Sequence, residues 1–156
     1  MTAVSTPIPT EQFLSFSIVN EVAILPTQKL TEVLTLTPQQ IVPIAGLDPS
    51  VMGVCNWRGE VLWLVDLNLV LNGKPLPPLE GNHYSAILIH HNGQALGVVV
   101  SQIHQMLWCH PNGIQPIPRS QHHPDPSPLL QGYWISPQSE TLLVLDVPEL
   151  FLRFQN

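Results

Sequence analysis

One short phrase in this sequence occurs twice. Leu62-Trp63-Leu64-Val65-Asp66-Leu67 is echoed by Leu142-Leu143-Val144-Leu145-Asp146-Val147. Each copy is an apolar run of strand length that stops on an aspartate and passes at once into a short Leu-rich segment. An aspartate there can accept hydrogen bonds from the free N–H groups of a first helical turn, so each copy reads as strand, cap and short helix. A unit of this kind used twice constrains the chain to two similar half-structures. Elsewhere 17 prolines and 9 glycines cut the sequence into short apolar runs. Many short strands separated by Pro/Gly turns point to an all-β protein built from barrels.

The individual runs support this. Leu14, Phe16 and Ile18 alternate with Ser15, Ser17 and Val19, which is strand periodicity. Ala23–Pro26 reads as a second strand, and Leu30–Leu36, with threonines at alternate positions, as a third. Residues 37–50 read as extended loop, with Asp48-Pro49-Ser50 starting a short helical turn. Gly53 and Gly59 bracket Asn56 and Arg58, a spacing that suits a tight turn before the strand Val61–Val65. Ser85–His90 and Gln94–Val100 flank His91-Asn92-Gly93, a strong hairpin signal. Ile103–Leu107, Leu129–Ile135 and Thr141–Leu145 complete the strands, and the apolar end at Phe151–Phe154 has helical character. Residues 110–128, rich in Pro, Gln, His and Ser, read as a long mobile surface loop. Residues 1–11 read as a flexible tail and 12–156 as one domain.

Composition narrows the function. Only 10% of residues are charged, against about 25% in ordinary globular proteins. A sparse charge set leaves apolar surface for a partner to cover. The net charge of −6, with 5 Lys and Arg in all, argues against nucleic acid, whose phosphates need basic contacts. The two cysteines, Cys55 and Cys109, form no CxxC pair and suit a reducing compartment. The N-terminus lacks the pattern of a signal peptide, and no apolar run reaches the ~18 residues of a membrane helix. The expectation is a soluble intracellular protein without membrane insertion.

Catalytic signatures are missing. There is no GxSxG, P-loop or GxGxxG. Asp66 and Asp146 invite comparison with an aspartic protease dyad, but such a dyad needs a small hydroxyl residue and glycine after each aspartate. Leu67-Asn68 and Val147-Pro148 stand there instead, which favours helix capping. The seven histidines show no metal-ligand spacing, and His90 and His91, as strand neighbours, point to opposite faces. Arg58 is the leading functional residue. It either presents a charge to a partner or pins its turn through an ion pair, with Glu32 the plausible mate. Asn56 is placed to fix the turn through its side chain.

From about Gln12 to Phe151 the chain resembles the CheW family, the small adaptors of bacterial chemosensory arrays. Gly53-Val54-Cys55-Asn56-Trp57-Arg58-Gly59 is similar to that family's Gly-Val-x-Asn-x-Arg-Gly, and Leu30-Thr31-Glu32-Val33 to its Val-x-Glu-Ile. Gly97–Ile103, Leu129–Gly132 and Leu142–Leu150 resemble three further segments in the family's order. Ser101 replaces the usual Asp, Trp57 the usual Leu, and Trp63 a frequent Pro. The resemblance implies two small SH3-like β-barrels on a shared apolar core, with one or two short helices. It implies a non-catalytic scaffold, without metal or cofactor, at receptor arrays on the inner face of the membrane. Its partners would be the cytoplasmic hairpin tip of a chemoreceptor and the regulatory domain of a CheA-type histidine kinase. The receptor would dock between the barrels near Leu30, Glu32, Gly53, Asn56, Arg58 and Gly59, with Gly97 on the other wall. Close relatives serve flagellar chemotaxis, type IV pilus twitching or phototaxis. Two alternatives stay open: a regulator or decoy of the same fold that binds one partner only, and a metal-dependent enzyme using the His-rich loop.

Overall fold

The computed structural model describes residues 10–78, 81–117 and 128–154. Ten strands and two short helices follow one another in the order β1 (Glu11–Ile18), β2 (Glu21–Pro26), β3 (Leu30–Leu36), β4 (Val51–Trp57), β5 (Glu60–Asp66), α1 (Leu67–Asn72), β6 (Tyr84–His91), β7 (Gln94–Val100), β8 (Gln102–Cys109), β9 (Leu130–Ile135), β10 (Thr141–Leu145) and α2 (Val147–Arg153). They form two five-stranded sheets, ordered β8-β1-β2-β10-β9 and β3-β6-β7-β5-β4. The second order repeats the first position by position, including the one parallel pair in each sheet, β2 with β10 and β7 with β5.

Each sheet curls around its own apolar interior. Phe13, Ile24, Cys109, Leu142 and Val144 fill the first barrel. Leu36, Cys55, Leu62, Leu64, Leu88 and Val99 fill the second. A third and larger cluster lies between the sheets, where Leu14, Phe16, Ile18 and Leu25 meet Val65, Ile87, Ile89 and Val98, with Leu150 and Phe151 of α2. Alternation along β1 and β6 explains the layering: successive side chains point to opposite faces, one into a barrel and one into the seam. The expected all-β fold of two small barrels on a shared apolar core is thus the observed one.

The barrels are closed by the chain turning back on itself. After β3, a 3-10 turn at Pro38–Gln40 leads to Val42, which exchanges both backbone hydrogen bonds with Val54 of β4. After β8, a 3-10 turn at Pro111–Gly113 leads to Gln115, which does the same with Tyr133 of β9. Backbone approaches so closely here that side chains are excluded. A Cβ on Gly53 would lie 2.2 Å from the Val42 carbonyl oxygen, and one on Gly132 would lie 2.2 Å from that of Gln115.

The echoed aspartates do what their position suggests. Asp66 accepts from the Leu69 N–H at 3.0 Å and Asp146 from the Glu149 N–H at 3.1 Å, capping α1 and α2. Three local expectations need correction. Gly53 is not part of a turn: it lies inside β4, a strand that the bracketing glycines concealed, with φ of +143° at a register shift. Asp48-Pro49-Ser50 forms no helix, because the Asp48 carboxylate takes both the N–H and the hydroxyl of Ser50. Residues 112–117 are not a free loop: Ile114 packs into the first barrel beside the Gln115 bridge. The remainder of the expected loop up to residue 127, and residues 1–9 of the expected tail, lie outside the described residues.

Candidate partner-binding site

The β4–β5 hairpin turns on two residues, Arg58 at φ +50° and Gly59 at φ +81°. Positive φ at both central positions is the I′ pattern, which matches the twist of the flanking strands. Glycine takes this conformation freely, whereas arginine does so at some cost. The Asn56 side chain offsets that cost by accepting from the Gly59 N–H at 2.9 Å. Arg58 is therefore held at the tip of a hairpin by backbone geometry.

Glu32, on β3 at the opposite edge of the same sheet, reaches across to this tip. Its Oε2 lies 3.2 Å from Arg58 Nη2. Its Oε1 accepts from the Trp57 indole N–H. The guanidinium also lies 5.2 Å from the centre of the Trp57 ring, within cation–π range. Trp57 packs on the interior of the second barrel. One carboxylate thus ties the two edge strands together and orients a guanidinium that stays 72% exposed. An exposed pair of this kind adds about 1 kcal/mol or less to stability. Its main effect is orientation.

The structure gathers Glu32, Asn56, Arg58 and Gly59 around this hairpin and leaves three expected residues elsewhere. A register shift in β3 turns Leu30 toward Ile89 and the seam, while Glu32 pairs with Leu88. Gly53 lets the Val42 segment approach. Gly97 is buried in β7, where a Cβ would fall 2.5 Å from Leu64 Cδ2.

Exposed apolar residues that the sequence did not single out border the hairpin. Val42, Val54 and Trp63 lie side by side across the outer face of the second barrel, and Val61 lies next to Trp63 along β5. Val61 is 70% exposed and Val42 58%. The signal was present in β5, where Val61 and Trp63 alternate with Leu62 and Leu64, but the unbroken apolar run reads as buried on both faces. A separate cavity of about 470 Å³ opens on the seam between β5, the β6–β7 hairpin and α2, lined by Leu47, Trp63, Phe151 and Phe154. The ion pair of Asp48 with Arg153, 3.4 Å apart, stands beside it. None of the expected site residues lines this cavity.

His90, His91 and the two cysteines are otherwise engaged. His91 Nδ1 lies 3.0 Å from Lys29 Nζ and His90 Nδ1 2.8 Å from the Thr31 hydroxyl. Cys55 and Cys109 are buried thiols, and burial, with a smaller contribution from Glu11, pushes Cys109 up to about 11. Among the described residues, no three His, Cys, Asp or Glu side chains gather as a metal ion would require. His122 and His123 lie outside the described residues. No described helix is long and apolar enough to cross a membrane.

This architecture has counterparts among known proteins. The chain is similar in structure to the scaffolding protein TtCheW from Thermoanaerobacter tengcongensis, with a TM-score of 0.76 over 89% of this chain and 90% of that one, at 18% identity. At that identity the likeness speaks to the fold alone. No curated protein matches the chain in sequence. The family model of the CheW-like domain matches residues 12–155, nearly the whole chain. The protein belongs to the CheW-like domain family.

Proposed function

We propose that this protein is a non-catalytic adaptor that couples chemoreceptor tips to a CheA-type histidine kinase in a motility-controlling array. Membership in the CheW-like family and the likeness to a scaffolding protein support the adaptor role. The observation that carries the site is the braced, exposed guanidinium of Arg58 at a hairpin tip, beside uncovered Val61 and Trp63. A charge already oriented by Glu32 and Trp57 loses little freedom on docking, so its energy appears in binding. Apolar surface next to a fixed charge is the composition of an interface centre. Glu32, Asn56, Arg58 and Gly59 form the docking surface in this reading, while Leu30, Gly53 and Gly97 shape the sheet beneath it. The receptor's cytoplasmic hairpin meets this surface, and the kinase regulatory domain binds at a barrel end.

The test pairs binding with stability. Arg58→Ala is expected to weaken capture of a receptor hairpin fragment by about tenfold or more, the effect of losing a charge-assisted contact. Its melting temperature is expected to stay within a few degrees of the parent, because the lost ion pair is exposed. Capture of the kinase regulatory domain is expected to persist. An unfolded variant, or loss of the kinase with retention of the receptor, would remove Arg58 from the receptor surface.

A further inference from the structure

The two barrels superpose strand for strand in their pairing, so each position in one has a counterpart in the other. Gly53 opposes Leu64 and Gly132 opposes Val144, which aligns β4–β5 with β9–β10. Continuing along these ladders, Trp57 opposite Glu60 corresponds to Ser136, whose N–H bonds the Glu140 carbonyl. On the other edge, Val33 opposite Ile87 corresponds to Met106 opposite Leu14, so Glu32 corresponds to Gln105. The pair that plugs one barrel, an indole donating to a carboxylate, is replaced in the other by a serine and a glutamine.

The consequence is visible as space. Where Trp57 fills the mouth of the second barrel, the first barrel has an open cavity of about 630 Å³ between β8 and the β9–β10 turn. Its floor carries the apolar Val22, Ile103, Leu107 and Leu142, with the buried Ser15 among them, whose hydroxyl donates to the Gln105 carbonyl. Its rim carries Gln105, Gln138 and Glu140. The Ser136 hydroxyl there is already committed, accepting from the N–H groups of Gln138 and Glu140. His104 is on the rim too, hydrogen-bonded to Ser17. Among the described residues, no Lys or Arg lines the mouth. The rim therefore offers acceptors and a negative charge over a mainly apolar floor.

The geometry points to this mouth as a docking site for a tryptophan side chain carried on a β-turn of a partner protein. The second barrel supplies the template, since a hairpin-borne indole sits in the matching place with its N–H on a side-chain carboxylate. Burial of an aromatic ring on the apolar floor would supply the attraction, and a rim acceptor would take the indole N–H. The site lies on the barrel that Arg58 does not belong to, so its occupation is independent of the receptor surface proposed above.

The probe is a cyclised hairpin peptide copying residues 55–62, with serine at the cysteine position and a fluorinated tryptophan at the position of Trp57. Its fluorine NMR signal is expected to shift and broaden on titration with the full chain, with half-saturation of about 1 mM or tighter, as suits one buried ring. Ser136→Trp, which fills the mouth from within, is expected to weaken binding by about tenfold or more. Gln105→Trp, which covers it from the exposed rim, is expected to do the same even if the first variant folds poorly. Phe154→Ala, at the seam cavity, is expected to bind as the parent does. Three outcomes overturn the assignment: no shift at millimolar protein, equal binding by the folded filled variants, or loss of binding in Phe154→Ala. Binding of free indole without binding of the hairpin would also overturn it, by making the mouth a small-molecule site.

Discussion

Arg58 shows how a single residue acquires a role from its neighbours. Its guanidinium is placed by a left-handed turn, a carboxylate and an indole, each from a different position in the chain. Sequence alone suggested the pairing with Glu32 and the bracing by Asn56, because both residue types act over short distances. It did not suggest Trp57, since that residue reads as part of a glycine-bracketed turn and not as the end of a strand facing Glu32. Gly53 makes the complementary point. A Cβ there would meet the Val42 carbonyl at 2.2 Å, with φ already at +143°. Gly53→Ala is therefore expected to cost about 3 kcal/mol or more, read as a large fall in melting temperature. Gly132→Ala should cost somewhat less, because its carbonyl neighbour is equally close but its φ is not positive. A second titratable residue, Asp48, gives a pH signature. The Ser50 hydroxyl, then the Ser50 N–H, hold its carboxyl below the ordinary 3.8, with Arg153 adding less. A lowered folded value means that the stabilisation is present above the unfolded value and is lost as pH falls through the folded one. Melting curves of the parent should thus drop more steeply below about pH 4 than those of Asp48→Asn.

At the scale of elements, the strand-Asp-helix unit was the most legible part of the fold. Both capping aspartates, both helices and the Asn92-Gly93 hairpin follow from local chemistry that the sequence displays directly. What stayed hidden was non-local. Strand β4 was concealed by Gly53, whose reason is a backbone from another segment. The bridges of Val42 and Gln115 were concealed because a single paired residue leaves no periodicity. The exposed faces of Val61 and Trp63 depend on which side of the sheet remains uncovered, and no run of apolar letters records that. The two caps also differ in depth. Asp66 is 3% exposed and its second oxygen accepts from the Leu76 N–H at 2.8 Å. Asp146→Ala is expected to cost about 1 kcal/mol, as for an ordinary cap. Asp66→Ala should cost roughly twice that or more, because it also strands a buried N–H. Chemical denaturation of the two variants compares them directly.

Across the whole molecule, the repeat is not a simple tandem. The first barrel takes β1 and β2 from the N-terminal half of the chain and β8, β9 and β10 from the C-terminal half. The second takes β3, β4 and β5 from the first half and β6 and β7 from the second. After each hairpin, β1–β2 or β6–β7, the chain crosses and gives its next strand to the other barrel. Neither half of the sequence therefore contains a complete sheet, although the echoed motif suggests two separable units. Fragments 1–78 and 79–156 are expected to be largely unfolded alone and to regain β-sheet circular dichroism when mixed. A cooperative melt from either fragment by itself would contradict the exchange.

That crossing also fixes how the molecule would respond to being pulled. A load that draws the two barrels apart falls on both crossings, β2 to β3 and β7 to β8, and on the apolar cluster between the sheets. Such a part has no single hinge at its middle, and separation requires the whole seam to open at once.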